Sequence, residues 1–85
     1  MEKESFIFYL NDTLKQCIDR AIEIDQQKSD FDNGIAVGYY EVLSRLINQA
    51  EVFGILPELD PYLQKFDPHD LLNGKAKSPF DRGGR

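Results

Sequence analysis

The sequence predicts an all-α fold: an antiparallel two-helix hairpin with short C-terminal helical turns, paired as a dimeric four-helix bundle. Three observations lead there. Two stretches of about twenty residues carry apolar side chains at alternating spacings of three and four. A short polar segment separates them, which makes the flanking helices antiparallel neighbours. Both apolar arcs are wider than one helix–helix contact covers.

The first helix is expected from about residue 5 to about residue 27. Ile7, Leu10, Leu14, Cys17, Ala21 and Ile24 trace its seam, and Phe6, Ile18 and Ile22 widen it to an arc of about 160°. Asp12, Lys15, Gln16, Asp19, Arg20, Glu23 and Gln26 fall on the opposite side. Phe6 to Leu10, FIFYL, is rich in residues that favour strands and equally suits a short strand; the periodicity running through it makes it the start of the helix. From Gln26 to Asn33 the chain is polar, and Ser29, Asp30 and Asp32 are candidate N-caps for a second helix.

The second helix is expected from about residue 32 to about residue 53. Ile35, Ala36, Tyr39, Tyr40, Val42, Leu43, Leu46, Ile47, Ala50 and Phe53 again span about 160°, with Glu41, Ser44, Arg45, Asn48 and Glu51 outside. Gly34 and Gly38 each weaken a helix by about 1 kcal/mol relative to alanine, which invites a close neighbouring backbone as the reason for them. Gly54 supplies the residue that ends the helix in a left-handed conformation.

Beyond Gly54 the pairs Asp60-Pro61 and Asp67-Pro68 place a capping side chain before a proline at the first helical position. They predict short turns at about residues 61–65 and 68–72, whose leucines fold back across the hairpin. The domain then spans residues 1–72, and residues 73–85, glycine-rich and poor in apolar groups, read as a flexible basic tail.

Composition removes several classes of function. At 85 residues the chain holds one core at most. Cys17 is its only cysteine and His69 its only histidine, so neither an internal disulfide nor a cysteine-based zinc cluster is available, and oligomerisation remains as the stabiliser of a small core. The start MEKESFIFYL has no basic region and only a short apolar run, which argues for a cytoplasmic protein, and no stretch approaches the ~18 apolar residues of a membrane span. The formal charge is −5, divided between −8 in residues 1–72 and +3 in residues 73–85. An acidic body repels phosphate backbones and favours a protein with a basic surface, although such charge equally serves solubility alone.

No set of residues calls for catalysis, a cofactor or a metal. Cys17 lies on the apolar stripe, where a thiol is buried and inert. Asp67, His69 and Asp70 are compact enough to transfer a proton or hold a metal, but their spacing also follows a helix start, with Asp67 as cap and Asp70 favouring the positive end of the dipole. Carboxylates such as Asp19, Glu23, Glu41 and Glu51 lie on outward faces and read as solvated. The candidate interface residues are Tyr39, Tyr40, Leu43, Leu46, Ile47 and Phe53. A tyrosine pair suits an interface because the ring buries while the hydroxyl stays wet, and it also suits an ordinary core.

The blocks Tyr39-Tyr40-Glu41-Val42-Leu43-Ser44, Gln49-Ala50-Glu51-Val52-Phe53-Gly54 and Phe66-Asp67-Pro68-His69-Asp70-Leu71-Leu72 resemble a family of short bacterial helical-hairpin proteins. The likeness runs from about Phe31 to Leu72, half the chain. It implies a bacterial, cytosolic, helical protein in which the middle block is the second arm of the hairpin and the Asp-Pro block a closing turn. It implies no particular activity.

The expectation is therefore a small acidic, non-enzymatic protein–protein interaction protein, an adaptor or immunity-type inhibitor that forms a homodimer and engages a protein partner with a basic surface. The alternative is a dimeric nucleic-acid-associated regulator using Lys75, Lys77, Arg82 and Arg85 of the tail. An enzyme built on Asp67, His69 and Asp70 ranks behind both. The competing architecture is a monomer in which Leu56 to Leu72 covers both arcs completely.

Overall fold

A computed structural model describes residues 2–25 and 30–80. The candidate cap Ser29, the polar link through Gln26 and Gln27, and the tail residues Asp81, Arg82 and Arg85 lie outside them. Regular structure among the described residues is entirely helical: α1 Lys3–Asp25, α2 Asp30–Val52, a 3-10 turn Leu56–Glu58, α3 Pro61–Lys65 and α4 Asp70–Asn73. None of these helices is long and apolar enough to cross a membrane.

The two long helices have 23 residues each and pack along one another. A 23-residue helix is about 35 Å long, whereas the stretch of chain from Asp25 to Asp30 reaches at most about 18 Å. The pair is therefore an antiparallel hairpin. FIFYL lies wholly inside α1, with the Phe6 amide bonded to the Glu2 carbonyl at 3.0 Å. Its strand-forming side chains are overridden by tertiary packing, since Ile7 and Leu10 lie against the core on the same stripe as Leu14.

Leu14, Ile18 and Ala21 of α1, Leu43 and Ala50 of α2, and Leu59, Leu63 and Leu71 from the C-terminal segment form one buried cluster. Glycine closes two of the helices. Gly54 sits at φ 73°, where its amide bonds to the Glu51 carbonyl at 3.0 Å and the Ile55 amide to the Ala50 carbonyl at 2.7 Å. This pair of hydrogen bonds satisfies carbonyls the end of α2 would otherwise leave free and turns the chain back over the hairpin. Gly74, at φ 76°, ends α4 in the same left-handed conformation.

The Asp-Pro pairs act differently from simple caps. Asp60 does precede Pro61 at the start of α3, but its side chain makes no capping bond; the carboxylate is drawn instead to Lys15 Nζ at 2.6 Å. Asp67 Oδ1 accepts from the His69 amide at 3.0 Å, a local turn rather than a helix cap, and α4 starts at Asp70 instead of Pro68. A carboxylate within reach of an ammonium gains more than one aimed at a neutral amide, which decides the first case.

Adjacent leucines in α4 show how sharply the core is bounded, with Leu71 2% exposed and Leu72 46% exposed. Leu71→Ala should lower the stability measured by urea unfolding by about 2–5 kcal/mol, while Leu72→Ala should change it by less than about 1 kcal/mol.

Candidate interaction surface

A hairpin of two helices has two broad sides, and here the C-terminal segment binds only one. Its attachments fall on the flank of α1 that carries Asn11, Lys15 and Asp19. Asn11 Oδ1 accepts the Asp60 amide at 2.8 Å beside the Lys15–Asp60 ion pair. Lys15 also stands over the Phe80 ring, 5.7 Å from its centroid. Ser78 Oγ donates to Asp19 Oδ1 at 2.7 Å, and the Tyr62 hydroxyl donates to the Lys77 carbonyl at 2.6 Å. The stretch from residue 73 that reads as a flexible tail in sequence thus has specific contacts through Phe80, and Ala76 packs against the core.

These contacts leave their mark on acidity. Lys15, with Asn11 beside it, holds the Asp60 carboxyl below the usual carboxylate range. Burial pushes the Tyr62 hydroxyl up to about 12, helped by the negative charges of Asp19 and Asp70.

On the corresponding flank of α2, Tyr40 meets the chain's single histidine. The Tyr40 hydroxyl lies 3.1 Å from His69 Nε2, and His69 Nδ1 lies 3.2 Å from Asp67 Oδ1. With its proton on Nδ1 the ring donates to Asp67 and accepts from Tyr40. The amide and ring of His69 together hold the Asp67 carboxyl below its ordinary value. Tyr40, Ser44, Arg45, Ile47, Asn48, Glu51, Asp67, Pro68 and His69 line an open groove of about 490 Å³ here. The order Asp67, His69, Tyr40 is that of a proton relay, yet the side chains of His69 and Asp67 are 69% and 61% exposed, so water competes for every bond in it. As built, the series fastens the segment before α4 to α2. No cluster of three or more His, Cys, Asp or Glu among the described residues is arranged to hold a metal.

The other side of the hairpin carries no such cover. Cys17 of α1 and Ile35, Gly38, Tyr39, Val42, Leu43 and Leu46 of α2 line a groove of about 430 Å³ whose walls are almost wholly apolar. Val42 is 55% exposed and Leu46 43% exposed. By helical rotation Phe6, Phe31 and Phe53 continue the same strip toward its two ends, and all three are exposed. An isolated surface leucine needs no explanation, but a contiguous strip across two helices is a candidate interaction surface.

The candidate interface residues divide between these environments. Leu43 is fully buried and Ile47 nearly so; both are core residues of the monomer, which withdraws their side chains from direct contact with a partner, although Leu43 forms the groove floor. Tyr40 belongs to the covered flank through His69. Tyr39, Leu46 and Phe53 lie on the open side, Tyr39 half-buried and Phe53 73% exposed. Val42 and Cys17 belong with them in the groove. Cys17 is half-buried at the groove wall rather than sealed in the core. Asn11, at helical spacing with Leu14 and Ile18, stands at the margin of the apolar stripe on the covered flank, where its Oδ1 accepts from the Asp60 amide.

No protein-family description, curated protein or solved structure matches the chain. The surface itself is thus the ground for any functional reading.

The Lys15–Asp60 pair generates a pH dependence with a definite sign. Because the folded-state pKa of Asp60 lies below its unfolded value of about 3.9, the pair's contribution is complete above that value and is lost as pH falls through the folded one. The acid limb of urea-unfolding midpoints should therefore be shallower in Asp60→Asn than in the wild type; identical limbs would mean the pair adds nothing in solution.

Proposed function

We propose that this chain is a small, acidic, non-enzymatic interaction protein that works as a dimeric four-helix bundle and presents its carboxylate-rich exterior to a second protein with a basic surface. The reading rests on one observation: the C-terminal segment covers one side of the hairpin and leaves an apolar strip uncovered on the other. An adaptor or inhibitor of this kind acts by occupying a surface, so it needs rigid shape and charge rather than a reactive group. The acidic outer faces supply long-range attraction to a basic partner, and that attraction weakens as salt screens it.

The supports are structural economy and charge. A chain of 9.8 kDa gains stability by burying surface against another subunit. Carboxylates such as Asp12, Glu23 and Glu41 lie, by helical rotation, away from the strip.

Light scattering over a dilution series should report a mass near twice 9.8 kDa at high concentration. A monomer at every concentration would overturn the reading.

A further inference from the structure

The strip's occupant can be argued from its charge. Every residue lining the groove is uncharged. By rotation, the nearest charge on α1 is Arg20, which is already paired with Glu23 at 3.1 Å, and α2 carries Arg45 and Glu41 at the Gly38 margin and Asp32 in its first turn. A basic partner would be recognised by carboxylates lining the groove, and none lines it. A second copy has the opposite requirement. Two bodies that each carry −5 approach favourably only through a surface that keeps their carboxylates apart, and this side of the hairpin does so.

Gly38 adds an independent point. It stands in the interior of α2, where glycine weakens the helix relative to alanine, yet a Cβ built there would meet nothing within 4 Å. The chain's own packing therefore does not require glycine, and φ at Gly38 is not among the left-handed values that would. Its missing side chain leaves the backbone open to something that approaches from outside the chain, as does that of Gly34 one turn earlier, but of the two only Gly38 lies on the wall of the uncharged groove.

We infer that the groove lined by Cys17, Gly38, Tyr39, Val42 and Leu46 is the seat of a second copy of this chain, with the two α2 helices approaching most closely at Gly38. This deepens the dimeric reading above and rests on it. The arrangement stacks one hairpin on the other with all four helices nearly parallel or antiparallel, buries Val42 and Leu46, and turns both acidic exteriors outward.

The test uses the full chain, with light scattering, the alkylation rate of Cys17 by iodoacetamide at low and high protein concentration, and thermal melting of Gly38→Ala and Leu46→Asp. The expected results are a wild-type dimer whose Cys17 reacts at least about tenfold more slowly when concentrated, and a folded, monomeric Leu46→Asp. Gly38→Ala should weaken the dimer about tenfold or more, yet raise the melting temperature when placed in the monomeric Leu46→Asp background. A wild type that stays monomeric overturns the dimeric reading and this inference together. A dimer that leaves Cys17 equally reactive at both concentrations, or survives Leu46→Asp, overturns this face alone. Gly38→Ala pairing as tightly as wild type removes the close approach at that residue. Should Leu46→Asp fail to fold, Val42→Asp, at a more exposed position, replaces it.

Discussion

The structure depends on a shortage of covering side chains. Two helices with apolar arcs of about 160° must have those arcs closed, and each helix can shield only part of the other's. The remaining cover must come from the residues after Gly54, which contribute Leu59, Leu63 and Leu71 to the buried cluster. Three leucines in short turns suffice for one side of a hairpin. This asymmetry, covered on one side and open on the other, sets the placement of nearly every polar contact and leaves the apolar groove where it is.

On the covered side the polar contacts are concentrated where the segment crosses α1. Lys15 serves two of them, as partner to Asp60 and as the cation over Phe80. Its side chain is 20% exposed, far less than that of Lys3, which is 75% exposed in its ion pair with Glu58. Solvent and salt weaken the second pair much more than the first, so of these two only Lys15–Asp60 is a substantial tie between α1 and the segment. Tyr62 and Ser78 extend that tie by hydrogen bonds that continue past α4, and Tyr40 with His69 fixes the segment on the α2 side. The segment is pinned along both edges of one face, which orients its leucines inward.

How far this was legible in sequence depends on the kind of interaction. Periodicity shows the helices, because side chains on one helix face recur at a spacing set by backbone geometry alone; even FIFYL follows Ile7 and Leu10 into α1 despite its strand-forming composition. Gly54 is legible for the same reason, a local backbone need that few residues meet. The partners of Lys15 and His69 are not. Lys15 read as one of many solvated charges opposite the stripe, and its partner Asp60 is 45 residues away, so only the path of the segment brings them together. Asp60 and Asp67 show the limit from the other direction: both stand at the expected N-terminal positions, but a nearby ammonium captures one carboxylate and a turn amide the other. The interface set was similarly mixed, since Leu43 and Leu46 share an arc in projection while only the segment's choice of side decides which is buried.

The same choice governs how charge is arranged. By taking Lys15 and Asp19 as anchoring groups, the segment covers the flank that already holds charges and gives each of them a counterpart, which avoids leaving a charge half-desolvated without compensation. What it leaves open is the flank free of charge, where desolvation by a partner is cheapest. An apolar groove lined by no charged residue on one side and carboxylates on the outer helix faces thus divide the surface of the hairpin into two regions of different chemistry.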